Sequence, residues 1–503
     1  MMRRRAALLT LASISASPLA CARRRRPSDE LLEVVIPVDP ATLDPRFVAD
    51  VYALRVARLV HAALIAPDPD TAAPTPWLAE SLKDEADGAL LVTLRAGACF
   101  HDGTKVRAAD VVATFRALGE ESLGSPSRRV VVELASIEAL DERRVRFRPK
   151  SPRATLRGDL DVPILKADEA SRARDAALTG SGPFRISARE PGSITLSPAP
   201  SYEWFAAAPP KGLVVRTVRD EPARALRVVA GSVDVAANVL APGLALSLPA
   251  RSDAPPGLRA QRRAGAATTF LAVRCSHPEL SVPEVRRALS AAIDREAIVR
   301  AKLGAAATLA EGLLPPSIAL AGTSKGPLPY DPSGGASVLG PLGRKGLRLS
   351  LVTSTDRTRV GIARALAQSI SDAGLPVDVH TYEFGTFFAR LSAGDFDVAP
   401  LIASEVTDPD VLRWYLHSDA LPPKGANRAR FRHAEVDALL DEGLRTLDPT
   451  ARRGCYQRLG DVLRAQMPYV PLWHEDHVAV TSARAGSFRP SVDGRWGALA
   501  SLP

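Results

Sequence analysis

An α/β fold of at least two lobes is what the 503-residue sequence predicts, and three observations lead there. A chain of this length exceeds what one hydrophobic core usually supports. Hydrophobic residues at 46% and charged residues at 24% are ordinary globular proportions, which excludes a disordered chain. From Leu347 onward, short apolar strands alternate with helical stripes, the pattern of a βαβαβ unit with a largely parallel sheet.

The first stretch reads as strand and turn. Leu32–Ile36 is an apolar strand broken by the two prolines of Asp39–Pro45, and a helix is expected over Val51–Leu64. Leu90–Leu94 is again a strand, and His101-Asp102-Gly103 marks a turn. The helix beginning at Ala109 places Val111, Val112, Phe115 and Leu118 on one face. Ser281-Val282-Pro283-Glu284 has the spacing of a capping box, followed by Val285, Ala288, Leu289, Ala292 and Ile293 at helical intervals. Asp294 opens a second helix that stops at Gly304. In the βαβαβ region the strands fall at Leu347–Leu351, Val377–Val379 and Phe396–Ile402. The intervening helices carry Ile362–Ile370, ended by Gly374, and Phe384–Ser392. Two more helices follow, through Val436–Leu447 and from Asp448-Pro449 to Met467. The Gly- and Pro-rich region Ala310–Pro341 reads as the one long loop.

The formal charge of +9 is lopsided. Seven arginines lie within residues 1–26, and removing them from +9 leaves +2 for the remainder. A body this close to neutral lacks the basic surface that nucleic acid requires. Met1–Arg5 is a positive segment and Ala6–Ala20 a short apolar one, the layout of an export signal too short to span a bilayer. Pro18-Leu19-Ala20-Cys21 resembles a bacterial lipobox, with Cys21 the residue to be acylated and Pro18 where Leu is usual. Plain cleavage near Ala20 is the alternative. Cys99, Cys275 and Cys455 show no CxxC spacing, so a cysteine-based zinc site is not expected, and one disulfide between an unassigned pair stays open. Cys455 falls on the apolar face of its helix.

Nine landmarks then occur in one order. Thr42-Leu43-Asp44-Pro45 comes first, and Pro76-Trp77-Leu78-Ala79-Glu80-Ser81 second. Leu94-Arg95-Ala96-Gly97, Phe100-His101-Asp102-Gly103-Thr104 and Ala108-Ala109-Asp110-Val111 form a block. Gly180-Ser181-Gly182-Pro183-Phe184, Gly231-Ser232-Val233-Asp234, the run from Pro283 to Ile298, and Pro468-Tyr469-Val470-Pro471-Leu472 complete them. Together they resemble family 5 of the extracellular solute-binding proteins, the dipeptide, oligopeptide and nickel group.

The resemblance implies a type II-like periplasmic binding protein, with two α/β lobes that close about a hinge and an extra domain in the first. Its divisions would be 1–21 signal, 30–57 first lobe, 58–168 extra domain, 169–265 first lobe again, 266–475 second lobe and 476–503 first lobe. It implies a periplasmic, monomeric protein, lipid-anchored to the membrane, that passes a small-molecule or peptide ligand to ABC permease subunits, without catalysis or cofactor. Glu405 stands where the family carries the aspartate that holds a peptide's amine, in Ile402-Ala403-Ser404-Glu405-Val406-Thr407-Asp408-Pro409. Val406 and Ile402 replace that stretch's Tyr and Trp. Arg274 stands where Asn is usual, placed to pair with Glu405 or with an acidic ligand group. Asp50, Tyr52 and Ser404 are the further expected ligand contacts.

Two other readings remain beside peptide capture. One is a binding or sensing protein for a metal chelate or sugar, which the replaced aromatics favour. The other is a degenerate exported enzyme, for which no GxSxG, Walker A or GxGxxG pattern exists. His474-Glu475-Asp476-His477 lacks HExxH spacing and is expected to be an exposed turn. Trp77, Trp414 and Trp473 are expected in lobe packing.

Overall fold

The computed structural model describes residues 31–48, 50–174, 176–200, 202, 211–318 and 326–502. The export signal and Cys21 lie outside the described residues. Two large sheets organise the chain. A seven-stranded sheet runs in the order Arg259–Arg263, His477–Thr481, Val235–Ala237, Leu31–Ile36, Gly212–Thr217, Ser193–Pro198, Phe184–Glu190. A six-stranded sheet runs Ala307–Leu309, Tyr469–Glu475, Thr268–Val273, Val398–Ala403, Leu349–Ser354, Val377–Tyr382. Between the first strand and its return the chain forms a four-stranded antiparallel sheet in the order Ala79–Asp84, Leu90–Leu94, Arg144–Pro149, Leu134–Ala139. That smaller sheet has its own core, where Phe115 of helix Ala108–Gly119 meets Phe147 edge to face at 5.1 Å.

The six-stranded sheet is mixed, not largely parallel. Leu349–Ser354 is parallel to Val377–Tyr382 and Val398–Ala403, as the βαβαβ order demands, but the other pairings are antiparallel. The cause is the path of the chain. It enters this half by Thr268–Val273 and leaves by Tyr469–Glu475, so its first and last strands run opposite ways.

Several local features explain the sequence motifs. Helix Val51–Val60 starts where Asp50 accepts hydrogen bonds from the amides of Tyr52 and Ala53 at 3.1 and 2.8 Å. It ends at Val60, short of the expected Leu64, because the Val60 carbonyl accepts from Ser181 and Gly182. The glycines make that approach possible. A Cβ on Gly180 would lie 2.2 Å from the Val60 carbonyl oxygen and 2.5 Å from the His101 ring. His101 in turn faces the Gly182 carbonyl at 2.9 Å, so the His-Asp-Gly turn and the Gly-Ser-Gly-Pro-Phe motif are halves of one contact.

The run from Pro283 to Ile298 is an internal clamp. Buried Arg286 donates to the carbonyls of Gln466, Leu280 and Ser281, and buried Arg295 donates to Pro471 O and Ser290 Oγ. Burial pulls the Arg295 guanidinium down to about 10. No capping box forms, since Val282 is the N-cap and Ser281 Oγ donates to Pro278 O instead. Asp294 does cap its helix through Ala297 N.

The loop expected over Ala310–Pro341 is interrupted by a helix, Pro332–Arg344. Asp331 caps it, Pro332 fits its first turn, and Gly335 faces helix Pro283–Ala292, where a Cβ would lie 3.2 Å from the Ala288 oxygen. There glycine serves helix contact rather than loop freedom. Trp473 and Cys455 are buried, but Trp414 is 41% exposed and Trp77 half-buried, donating to the Tyr202 hydroxyl at 2.8 Å. Cys99, Cys275 and Cys455 form no disulfide among the described residues.

Gly180→Ala is expected to cost about 1–3 kcal/mol through overpacking. Gly158→Ala, with nothing within 4 Å of its Cβ position, should stay within about 0.5 kcal/mol. Urea unfolding of both variants checks this, and equal midpoints would contradict the contact.

Candidate ligand cleft

The chain passes between the two sheets at two adjacent places, residues 264–267 and 475–476. Gly265 packs there against the Glu475 carbonyl, 2.4 Å from where its Cβ would be. The His474-Glu475-Asp476-His477 run is therefore this crossing and not an exposed turn. His474 and His477 are buried, facing Thr268 Oγ1 and the Asn238 side chain, each at 2.9 Å. Asn238 Oδ1 accepts from Val478 N, which turns its amide so that Nδ2 donates to His477 Nδ1. Burial, then Arg55, pulls His477 down to about 4, so it stays neutral.

A cavity of about 530 Å³ opens beside the crossing, walled by both halves. Tyr52, Arg219, Glu221 and Asn238 come from the seven-stranded half, and Asp356, Arg357, Arg359, Ile402 and Ser404 from the six-stranded half. The second group sits where parallel strands Leu349–Ser354 and Val398–Ala403 end, the edge at which open α/β sheets bind ligands. Asp356 caps helix Arg357–Asp372 through Arg359 N and so fixes the turn carrying the two arginines.

The charges separate into satisfied and unsatisfied ones. Glu475 accepts from Arg359 at 2.7 and 3.0 Å and from Thr269 Oγ1 at 2.6 Å. Burial alone would raise its pKa, but Arg359 and these hydrogen bonds hold it at about 2. Arg224 is buried and donates to the carbonyls of Val239, Val218 and Arg219. Arg219 and Arg357 are exposed, one from each half, and form no ion pair among the described residues.

Of the expected contacts, Tyr52 and Ser404 line the cavity. The Tyr52 hydroxyl donates to Asn238 O at 3.1 Å and its ring lies 5.6 Å from the Arg55 guanidinium. Asp50 caps its helix and does not line the cavity. Arg274 does not pair with Glu405. It lies at the far end of strand Thr268–Val273, roughly 20 Å along the strand from the crossing, bound to Asp397 at 2.7 Å and to Gly394 O.

Glu405 does not line the cavity either. Its backbone is left-handed, φ 54°, and its carboxylate turns to Arg58 at 3.0 Å and Arg55 at 3.8 Å. Arg58 also meets Asp161, which binds Arg495. Burial pushes Glu405 upward, but Arg58, Arg55 and Arg495 together bring it below the ordinary carboxylate value. Sequence reading missed Arg219, Asn238, Arg357 and Arg359. The Asp-Arg-Thr-Arg run just past a strand end was the available signal for the last two.

The model for bacterial extracellular solute-binding proteins, family 5, matches residues 73–420. The chain belongs to this family. Among its relatives, di/tripeptide-binding protein 2 of Pseudomonas aeruginosa is 26% identical and the alignment covers 94% of each chain. The glutathione-binding protein GsiB of Escherichia coli O157:H7 is 25% identical over 89% of each. The fold is that of type II periplasmic binding proteins. DppA from Helicobacter pylori, in complex with peptide STSA, superimposes with a TM-score of 0.80 at 22% identity, covering 94% of this chain and 97% of that one. NikA from Brucella suis, in complex with Fe(III)-EDTA, gives 0.81 at 21%, covering 94% and 99%. No helix among the described residues is long and apolar enough to cross a membrane.

Because the folded Glu475 value lies below its ordinary 4.5, its contribution is complete above about pH 4.5 and fades as pH falls toward 2. Glu475→Gln should therefore cost on the order of 3 kcal/mol near neutrality and progressively less below pH 4. Urea melts across that range measure it, and a pH-independent difference would refute the ion pair's role.

Proposed function

We propose that the protein is the solute-binding component of an ABC importer, enclosing a peptide or similarly extended solute between its two sheet-centred halves. Its division into a first lobe, an extra domain spanning 58–168 and a second lobe spanning 266–475 belongs to this reading, as does a monomeric state. An export signal ending before Cys21, with Cys21 acylated, would keep it at the outer side of a membrane, where the arginines of residues 23–26 meet anionic headgroups.

The observation that carries the reading is the cavity itself, walled by both halves beside the two chain crossings that serve as the hinge. Closing the halves on a solute brings Arg219 and Arg357 toward it from opposite sides, suited to an acidic group such as a peptide carboxylate. Tyr52 and Ser404 supply an aromatic face and a hydroxyl. The peptide and glutathione relatives, and the peptide-bound neighbour, support an extended solute of this kind.

One observation favours the second reading, a non-peptide solute such as a metal chelate. Glu405, the carboxylate expected to hold a peptide's amine, is turned to Arg58 instead. The Fe(III)-EDTA-bound neighbour is consistent with that alternative.

Native mass spectrometry of the purified protein, with identification of whatever it carries, separates the readings. Co-purified short peptides support the first, and a chelate or sugar the second. A protein that arrives empty and is stabilised by no solute of either class contradicts capture altogether. With the identified solute, Arg219→Ala and Arg357→Ala are each expected to weaken binding at least about tenfold by calorimetry.

A further inference from the structure

A second opening, about 1190 Å³, shares no lining residue with the solute cavity. Its floor is strand Arg259–Arg263, an edge of the seven-stranded sheet that, among the described residues, pairs only with His477–Thr481. Two walls flank this edge from opposite faces of the sheet. Leu246 and Pro249 stand with the core containing Leu248, Leu258 and Val480. Gly486, Arg489 and Pro490 adjoin the core containing Ala485 and Phe488. The result is a trough with an unpaired backbone edge at its base.

Four arginines line the trough and Asp70 is the one carboxylate among its lining residues. Arg263 is paired with Asp70, and Arg262 approaches Asp476 at 3.8 Å. Arg259 and Arg489 are exposed and form no ion pair among the described residues. An open strand edge offers alternating N–H and C=O groups that only another extended chain can satisfy. The arginines exclude a basic strand and attract an acidic one. Residues 1–26, with seven arginines and no acid, are therefore excluded as the occupant.

We propose that this trough docks an extended acidic segment of a partner protein, which adds to strand Arg259–Arg263 as an eighth strand while its carboxylates meet Arg259 and Arg489. The site is independent of the solute cavity, so docking and solute capture can occur together.

The probe is a fluorescent, end-blocked peptide of alternating Glu and Val, with the Lys-Val peptide as comparison, titrated by anisotropy at low ionic strength. The expected result is saturable binding of the acidic peptide alone. Arg259→Glu/Arg489→Glu should weaken it at least about tenfold, and the milder Arg259→Gln/Arg489→Gln about threefold. Amides of residues 259–263 should gain protection from hydrogen exchange when the acidic peptide binds. Arg219→Ala/Arg357→Ala should leave peptide binding unchanged. The proposal is overturned if neither peptide binds, if the Arg259/Arg489 variants bind as well as the parent, or if loss of Arg219 and Arg357 abolishes binding, which would put the peptide in the solute cavity. It is equally overturned if only phosphatidylglycerol vesicles bind.

Discussion

Glu405 belongs by chain to the six-stranded half, yet its counter-charges, Arg58, Arg55 and Arg495, belong to the other half or to the segment returning to it. Holding a non-glycine residue left-handed costs roughly 1–2 kcal/mol, and that conformation aims the carboxylate across the base of the cleft. Burying a carboxylate is costly unless it is paired, and removing one partner of such a pair typically costs about 3–5 kcal/mol. The relative placement of the two halves, and so the width of the solute cavity, depends on this cluster. Asp161, from the segment that carries the four-stranded sheet, extends it by binding both Arg58 and Arg495.

The two crossings supply the complementary constraint. Gly265 and the Glu475 carbonyl are in contact, so the two connections lie side by side. Val406 N donates to Ala266 O, tying the residue after Glu405 directly to that junction. Arg359 and Glu475 neutralise each other next to it. What charge is left facing the cavity then sits on side chains free to meet a solute, with Arg219 and Arg357 on opposing walls. Structural pairing at the junction and recognition in the cavity are thus divided among different residues.

Much of this was legible in the sequence wherever a motif is a local or packing device. The glycines of Gly180-Ser181-Gly182 mark a close backbone approach, and Asp294 and Asp448 cap helices as their spacing suggests. The family was readable from nine such segments in order. What the sequence concealed is long-range. Glu405 and Arg58 are 347 positions apart, and nothing near either one signals the other. The mixed sheet follows from where the chain enters and leaves a half, which strand-by-strand reading does not encode. His474 and His477 looked like exposed polar residues because their partners, Thr268 and Asn238, come from distant strands. The helix Pro332–Arg344 was hidden by glycines that serve packing, a use composition alone cannot separate from loop formation.

The central claim is that the Glu405 cluster holds the two halves together. Small-angle X-ray scattering of the purified protein and of Glu405→Lys, which sets a cation against Arg55, Arg58 and Arg495, tests it directly. The variant is expected to show a larger radius of gyration and a longer maximum dimension, with the circular dichroism spectrum unchanged. A scattering profile superimposable on the parent's, from a folded variant, would contradict it.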